Sequence, residues 1–243
     1  MTVTVTTSPL LTVQDLTVRY GTAHALRDVS FTVPPNSALA VLGANGAGKS
    51  TLARALSGLV PPVTGSVVLD GRDLTGSTPD TIRRAGLVHL PEGRGVFPSL
   101  TVMENLRMAT AGDRRGRSAA IDRAFEIFPA LRNRQRQAAG TLSGGEQQML
   151  SLARALMIDP RLVIADELSL GLAPKMVDVV FESLRRAREA GVAVIMIEQF
   201  ATRALAFADT CLLLQRGRTA WTGPTTEAGP ELLRRYLGEA TAA

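Results

Sequence analysis

Residues 43–51 read GANGAGKST, and this stretch decides the fold of the chain. Gly43, Gly48, Lys49 and Ser50 fill the pattern G-x-x-x-x-G-K-[ST] of a phosphate-binding loop. Such a loop lets backbone N–H groups point at a phosphate, because no Cβ atom stands in the way at its glycines. The Lys49 ammonium can reach the β- and γ-phosphates, and the Ser50 hydroxyl is suited to Mg²⁺.

The context of this loop supports the same interpretation. An apolar run at 38–42 predicts a buried strand before it, and residues 49–56 predict a helix that stops at Gly58. Strand, glycine loop and helix form the setting that the motif requires. A phosphate-binding loop therefore accounts for this segment better than a chance glycine-rich turn does. The residues expected to contact a nucleotide are Gly43, Ala44, Asn45, Gly46, Ala47, Gly48, Lys49, Ser50 and Thr51.

A pair of acids follows a second apolar run. Residues 162–167 read LVIADE, which predicts a buried strand that ends at Asp166 and Glu167. At that place Asp166 suits a Mg²⁺ contact, and Glu167 suits the base that orients or deprotonates the attacking water. An acid pair after a strand is weak evidence alone, but a complete phosphate loop in the same chain makes it strong.

A third motif lies at residues 141–148, which read TLSGGEQQ. Ser143 and Glu146 have the spacing of a capping box, and helix-forming sequence follows. Ser143, Gly144 and Gly145 therefore lie at a helix N-terminus, where backbone N–H groups favour anions. A plain capped helix explains this segment equally well on helix physics alone.

With GANGAGKS, LSGGE and LVIADE in this order, the chain resembles the ATP-binding subunits of ABC transporters over nearly its whole length. The resemblance implies ATP and Mg²⁺ as cofactors and two subunits paired head to tail. It gives Ser143, Gly144 and Gly145 the γ-phosphate of the partner's ATP. It also implies that Tyr20, in VRYGTAHAL, stacks on adenine, where the alternative is a tyrosine on the surface at a strand end.

Four positions depart from the commonest pattern of this family. Glu92 stands where Gln is usual, Gln199 where His is usual, Ala173 where Asp is usual and Leu168 where Pro is usual. We expect Glu92 and Gln199 to act with Glu167 in catalysis. The departures indicate either a weak ATPase or a subfamily.

The segments PEGRGVF, LSGGEQQML and SLGLAP favour the subfamily. They are similar to the ATP-binding subunits of branched-chain amino-acid importers, in which Glu, Gln and Ala are usual at three of these positions. Leu168 departs even there. Three alternatives stay open: an importer of urea or a short amide, a soluble ABC ATPase without a transport role, and a regulatory subunit that does not hydrolyse ATP.

The length of 243 residues and a hydrophobic fraction of 45% fit one domain with a sizeable core. We expect an α/β fold: a P-loop NTPase core with a mostly parallel sheet, a small antiparallel layer near the N-terminus and an inserted α-helical subdomain. The predicted ranges are 10–243 for the single domain, with a core of 10–91 and 141–243 and a helical insertion of about 92–140. Residues 1–9 are expected to be a frayed tail.

The net charge of +5 comes from basic residues that are scattered and not interleaved with aromatics, which argues against nucleic-acid binding. No apolar run approaches the roughly 20 residues that cross a bilayer. A role at a membrane therefore needs spanning partners. The resemblance implies permease subunits, a second ATP-binding subunit that is identical or paralogous, indirectly an extracytoplasmic substrate-binding protein, and a peripheral place on the cytoplasmic face. His24 and His89 are interpreted as structural, since no metal-ligand spacing surrounds them.

Overall fold

The computed structural model describes residues 8–93, 95–110, 116–198 and 201–237. The strands are β1 (Leu11–Tyr20), β2 (Ala23–Val33), β3 (Ala38–Leu42), β4 (Thr64–Leu69), β5 (Arg72–Asp73), β6 (Leu87–Leu90), β7 (Leu162–Asp166), β8 (Ala193–Ile197), β9 (Thr210–Gln215) and β10 (Arg218–Pro224). The helices are α1 (Lys49–Leu56), α2 (Pro79–Arg84), α3 (Val102–Ala109), α4 (Arg117–Ile127), α5 (Pro129–Arg132), α6 (Gly144–Leu156), α7 (Pro174–Glu189), α8 (Ala201–Phe207) and α9 (Pro230–Leu237). Short 3-10 turns lie at Ala139–Thr141 and Thr225–Glu227.

The larger sheet has the strand order β10-β9-β3-β8-β7-β6. Strands β9, β3, β8, β7 and β6 are parallel, and β10 is antiparallel to β9. This confirms the mostly parallel core, and β3 and α1 have the predicted bounds. Because the carboxyl ends of parallel strands meet at one edge, the loops after β3, β6, β7 and β8 come together there.

Strand β3 lies inside the sheet, and all five of its residues are buried. Ala38, Ala40 and Leu42 pack into a core that includes residues of α6 and α7. Leu39 and Val41 point to the other face, into a core shared with α1 and the antiparallel strands. Successive side chains of a strand point to opposite faces, and both faces of β3 are covered. An apolar run without polar alternation was therefore the correct signal for this strand.

The smaller sheet has the order β2-β1-β4-β5 and is antiparallel, as the sequence predicts for residues 10–35 and 63–72. It is tied to the phosphate loop by two backbone hydrogen bonds through Gly217, in the turn between β9 and β10. The Arg27 N–H donates to Gly217 O at 2.7 Å, and the Gly217 N–H donates to Ala47 O at 2.9 Å. The turn thus fixes β2 beside the loop.

Helices fill the region between β6 and β7. Thr101 and Glu104 have the sequence spacing of a capping box, and helix α3 begins there with both hydrogen bonds formed. Within the described part of 92–140, the only β contact is an isolated bridge between Thr101 and Ala138. The sequence predicts a helix near 118–128 that stops at Pro129, and α4 does end before this proline. Pro129 then starts the short helix α5, because its fixed φ suits a first helical turn. The exact bounds of the insertion stay a prediction.

The sequence predicts that Trp221 serves in packing and that Cys211, inside the apolar run TCLLLQ, packs as a small hydrophobic residue. Trp221 on β10 packs against the core, and Cys211 on β9 is wholly buried with its pKa raised to about 12 by burial. Of the predicted tail, residues 1–7 lie outside the described residues, as do residues 111–115 of the expected break before α4. No helix in the described ranges has the length and apolar content that crossing a membrane requires.

The turn between β9 and β10 offers a matched test of how tightly β2 is held. Gly217 and Gly71 both have φ of 75° and both follow a residue with φ near 50° in a two-residue turn. A Cβ on Gly217 would lie 2.5 Å from Ala25 O, whereas nothing lies within 4 Å of one on Gly71. Gly71→Ala should cost about 1–2 kcal/mol of left-handed strain. Gly217→Ala should cost about 1–3 kcal/mol more, because backbone must move.

Urea unfolding of the two variants measures this difference as a change in midpoint at constant slope. Equal losses in the two variants would contradict a tight approach of β2 to the turn.

Candidate active site

The phosphate loop joins β3 to α1, and close backbone approach explains its glycines. A Cβ on Gly43 would lie 2.5 Å from Leu214 O, in the neighbouring strand β9. Gly48 has φ of 110°, and a Cβ there would lie 2.9 Å from Ala25 O. Only glycine therefore fits between the sheet and the first turn of α1 at these two positions.

Lys49 is the first residue of α1, and its residue surface is only 5% exposed. Its Nζ donates a hydrogen bond of 2.8 Å to Gly43 O and lies 3.5 Å from Ala44 O. Burial lowers the pKa of Lys49, while the carboxylates of Glu167 and Asp166 act in the opposite direction. A cation is thus held inside the loop, where a phosphate would complete its surroundings.

A cleft of about 600 Å³ opens beside this loop. Its lining comes from five separate segments of the chain and includes Glu92, Glu167 and six of the predicted loop residues. The lining residues are His24, Ala25, Asn45, Gly46, Gly48, Lys49, Ser50, Thr51, Glu92, Glu167, Arg216 and Gly217. The other three predicted loop residues, Gly43, Ala44 and Ala47, lie outside the lining.

The two acids after β7 have different surroundings. Asp166 is 3% exposed, and its Oδ1 is buried without a hydrogen-bond partner. Glu167 lies at the cleft, and its pKa is raised by burial first and then by Glu92 and Asp166, while Lys49 opposes the shift. A carboxylate with a raised pKa beside a phosphate-sized cleft can accept a proton from water.

Backbone conformation singles out the same cleft. Among the described non-glycine residues with positive φ, five are Asp or Asn, which tolerate this region well. The other two are Glu167, with φ of 50°, and Arg216, with φ of 49°, and both line the cleft. Strained backbone of this kind is often concentrated at functional sites.

The site fits a divalent cation through its donor chemistry. The unpartnered Oδ1 of Asp166 and the Ser50 hydroxyl are hard oxygen donors, which Mg²⁺ prefers when it also binds phosphates. Among the described residues there is no cluster of three or more His, Cys, Asp or Glu that would hold a metal without a substrate. A cation here would therefore enter with the phosphates.

The loop after Glu167 is anchored on both sides. Leu168 is 4% exposed and packs into the core, which gives the unusual residue at this position a structural reason. The Ser169 hydroxyl donates a 2.7 Å hydrogen bond to the carboxylate of Glu198, which is itself only 4% exposed. Glu198 follows β8 directly and was not predicted from the sequence. Gln199, the predicted catalytic residue after it, lies outside the described residues.

The LSGGE segment forms the predicted capped start of α6. Glu146 Oε2 accepts hydrogen bonds from the Ser143 backbone N–H at 2.9 Å and from its hydroxyl at 2.8 Å. Ser143 is exposed, whereas Gly145 is buried with Met176 so close that a Cβ would lie 2.5 Å from it. Residues 143–145 contribute nothing to the described lining of the cleft of their own chain.

The surroundings of Tyr20, His24 and His89 differ from one another. Tyr20 ends β1, pairs with Ala23 and is 46% exposed, but the described cleft lining has His24 and not Tyr20. His89 on β6 is buried, with Nδ1 3.1 Å from Ser57 Oγ and Nε2 3.6 Å from Asp166 Oδ2. The hydrogen bond of His89 agrees with the structural role expected of it, but its neighbours were not predicted from the sequence. Strand register would have been needed to find them.

Comparison with known proteins agrees with this geometry. The sequence model of the ABC transporter family matches residues 26–169. The high-affinity branched-chain amino acid transport ATP-binding protein BraG of Pseudomonas aeruginosa is 42% identical, over 94% of this chain and 100% of that protein. A probable branched-chain amino acid transport ATP-binding protein, LivF of Archaeoglobus fulgidus, is 38% identical, over 87% of this chain and 91% of that protein.

A solved structure supports the same assignment. The ATP-binding subunit of an ABC transporter superposes with a TM-score of 0.80 at 28% identity, covering 93% of this chain and 92% of that one. The fold of this chain, with its two sheets and phosphate loop, therefore agrees with the family given by the sequence match. The chain belongs to the ABC transporter family, as an ATP-binding cassette that hydrolyses ATP.

Proposed function

We propose that this cassette energises an ABC importer that takes up branched-chain or other apolar amino acids. The observation that carries the ATPase chemistry is the cleft in which Lys49 and Glu167 meet, formed by the carboxyl-edge loops of the sheet. The cargo rests on the 42% identity to BraG, which extends over 94% of this chain. The segments PEGRGVF and SLGLAP support the same branch.

Residues of the phosphate loop bind the nucleotide. Backbone N–H groups between Gly43 and Thr51 hold the phosphates, and Lys49 gives up part of its contact with Gly43 O to reach the β- and γ-phosphates. Ser50 and Asp166 would hold Mg²⁺, which when bound neutralises charge on the phosphates. Tyr20 would stack on the adenine from the end of β1, on the side of the cleft where His24 is part of the lining.

Glu167 is the proposed general base. It lies in the cleft beside Glu92, and burial together with the neighbouring carboxylates raises its pKa toward the range of an effective base. Glu92 and Gln199 are proposed to orient the attacking water and the γ-phosphate. An amide such as that of Gln199 can donate a hydrogen bond to the phosphate without taking a proton.

The second half of each ATP site is proposed to come from a partner cassette. Ser143, Gly144 and Gly145 form a helix N-terminus that favours an anion, yet they lie outside the cleft of their own chain. A second cassette, identical or paralogous, would therefore be paired head to tail with this one. ATP would favour the closed pair because only there does the γ-phosphate touch both chains.

The remaining partners follow from the importer. Permease subunits would span the membrane, and a substrate-binding protein outside the cytoplasm would deliver the cargo. The cassette itself would lie on the cytoplasmic face, bound through the helical region and the loop from Glu92 to Phe97. Phe97 is 44% exposed there, which suits a surface that a partner covers.

The sequence leaves three other functions open, and two of them remain alternatives. Import of urea or a short amide would use the same ATPase, and PEGR at 91–94 speaks against it only weakly. A soluble ABC ATPase would usually need two cassettes in one chain or long coiled-coil insertions. A regulatory subunit without turnover, which Leu168 and Gln199 would suggest, disagrees with the ATP hydrolysis of the family, and the burial of Leu168 gives that residue a role in packing.

We expect Glu167→Gln to bind ATP normally and to lose turnover by about 100-fold or more, because an amide cannot accept the proton. ATPase rates of the assembled complex and nucleotide affinity of the isolated chain measure the two parts. Asp159→Asn is a matched control, since Asp159 also has positive φ but is exposed in the loop between α6 and β7. Turnover of Glu167→Gln at the unchanged rate would exclude this residue as the base.

If each ATP site is shared by two cassettes, a change at Ser143 should affect ATPase of the assembled complex but not ATP binding by the isolated chain. Ser143→Arg should leave ATP affinity of the isolated chain unchanged and should abolish ATPase of the assembled complex. Lys49→Ala should instead lose ATP affinity already in the isolated chain. If Ser143→Arg weakens ATP binding by the isolated chain, or if its complex keeps full activity, the head-to-tail arrangement is wrong.

The importer is tested by purifying the tagged chain from gently solubilised membranes. We expect two multi-span permease subunits and a second ATP-binding chain to be recovered with it, and a receptor loaded with a branched-chain amino acid to stimulate ATPase. An unrelated soluble protein with the same tag is the control. Recovery of ribosomes, DNA or soluble partners alone would overturn transport, and stimulation by a urea receptor would change the cargo.

A further inference from the structure

His89, Ser57 and Asp166 form a buried polar chain behind the cleft. The His89 side chain is 7% exposed and that of Asp166 is 5% exposed. His89 Nε2 and Asp166 Oδ1 are both buried without a hydrogen-bond partner. Buried polar atoms are nearly always paired, so two unpaired atoms on neighbouring side chains need an explanation.

The strand register brings the two residues together. His89 on β6 is paired with Ile164 on the parallel neighbour β7, and Asp166 lies two residues further along β7. Side chains two residues apart on a strand share a face, so His89 and Asp166 are diagonal neighbours. An apolar side chain would fill the place of His89 without burying an unpaired nitrogen.

The Ser57 hydroxyl decides between two forms of the imidazole. Its Oγ lies 2.8 Å from Ala53 O and 3.1 Å from His89 Nδ1, and its one hydrogen can serve only one of them. If it serves Ala53, Nδ1 carries the ring proton and a bare Nε2 faces a carboxylate oxygen. If it serves Nδ1, Nε2 carries the proton and faces Asp166 as a donor. The second form avoids two opposed acceptors.

We propose that His89 is a positioning residue for Asp166: its Nε2–H donates to Oδ2 and so leaves Oδ1 for the divalent cation of the nucleotide. The inference rests on the proposed metal role of Asp166. The distance of 3.6 Å is longer than a charge-assisted hydrogen bond of about 2.7–2.9 Å, and catalytic hydrogen bonds are often long before substrate binds. Side-chain rotations that move these atoms by under about 1 Å would shorten the distance to that of a hydrogen bond.

The test compares how much Mg²⁺ strengthens nucleotide binding in variants of the full chain. Calorimetry gives the affinity for AMP-PNP, a non-hydrolysable ATP analogue, in Mg²⁺ and in EDTA, and the ratio of the two reports the metal. His89→Leu removes both ring nitrogens. His89→Gln puts an amide N–H near the place of Nε2, whereas His89→Asn puts one near Nδ1.

We expect His89→Leu and His89→Asn to lower the ratio by about 10-fold or more, the usual cost of losing a residue that orients a metal ligand. His89→Gln should retain most of the ratio, and affinity in EDTA should be the same in all variants. Leu87→Val is the control, because it trims the core on the same strand and face without changing a polar group. If His89→Leu does not fold, the contrast between Gln and Asn still decides.

An unchanged ratio in His89→Leu, equal losses for Gln and Asn, or equal losses in Mg²⁺ and EDTA would each overturn the proposal. Asp166→Asn distinguishes a failure of the proposed metal role of Asp166 from a failure of the positioning role of His89. If it leaves the ratio unchanged, the metal role of Asp166 itself fails. If it lowers the ratio, His89→Leu added to it should lower the ratio no further, and additive losses would count against action through Asp166.

Discussion

The burial of the Lys49 ammonium is the constraint on which the cleft depends. Removing a cation from water is costly, and the cost is visible in the lowered pKa of this lysine. The chain offsets it with the Gly43 carbonyl and with the field of Glu167 and Asp166. Burial lowers the pKa of Lys49 and also raises the pKa of Glu167. One desolvated cleft therefore holds both the cation for the phosphates and a carboxylate suited to act as the base.

That space exists because two sheets meet at the phosphate loop. Strand β3 is buried on both faces and aims the loop out of the sheet edge. On one side the turn at Arg216–Gly217 holds the loop and β2 together through backbone hydrogen bonds. On the other side Leu168 and Ser169 fix the segment after β7 against the core and Glu198. The loop is therefore held by main-chain geometry more than by side chains.

Most of the fold followed from local sequence signals. The strand at 38–42, the helix at 49–56 and the capping boxes at Thr101 and Ser143 are contained within a few residues, so periodicity and cap chemistry were sufficient. Pro129 was recognised as a stop, but its second role as a helix start depends on the chain that follows. Glu92 and Glu167 were predicted from motif order, and the structure brings them into one cleft.

The missed contacts join segments that are distant along the chain. His89 meets Asp166 only because β6 and β7 are parallel neighbours in one register, and Ser169 meets Glu198 across β7 and β8. No periodicity in a single segment encodes such a pairing. His24 entered the cleft lining for the same reason, since the position of β2 depends on the turn at Gly217.

Cys211 has a practical consequence for studying how two cassettes move. It is the chain's one cysteine, it is wholly buried in the sheet, and burial raises its pKa to about 12. Thiolate is the form that reacts with maleimides, so the native thiol is inert at neutral pH. A cysteine introduced on the surface would be labelled selectively without replacing Cys211. Spectroscopic distance measurements between two labelled cassettes are therefore accessible in an otherwise unaltered chain.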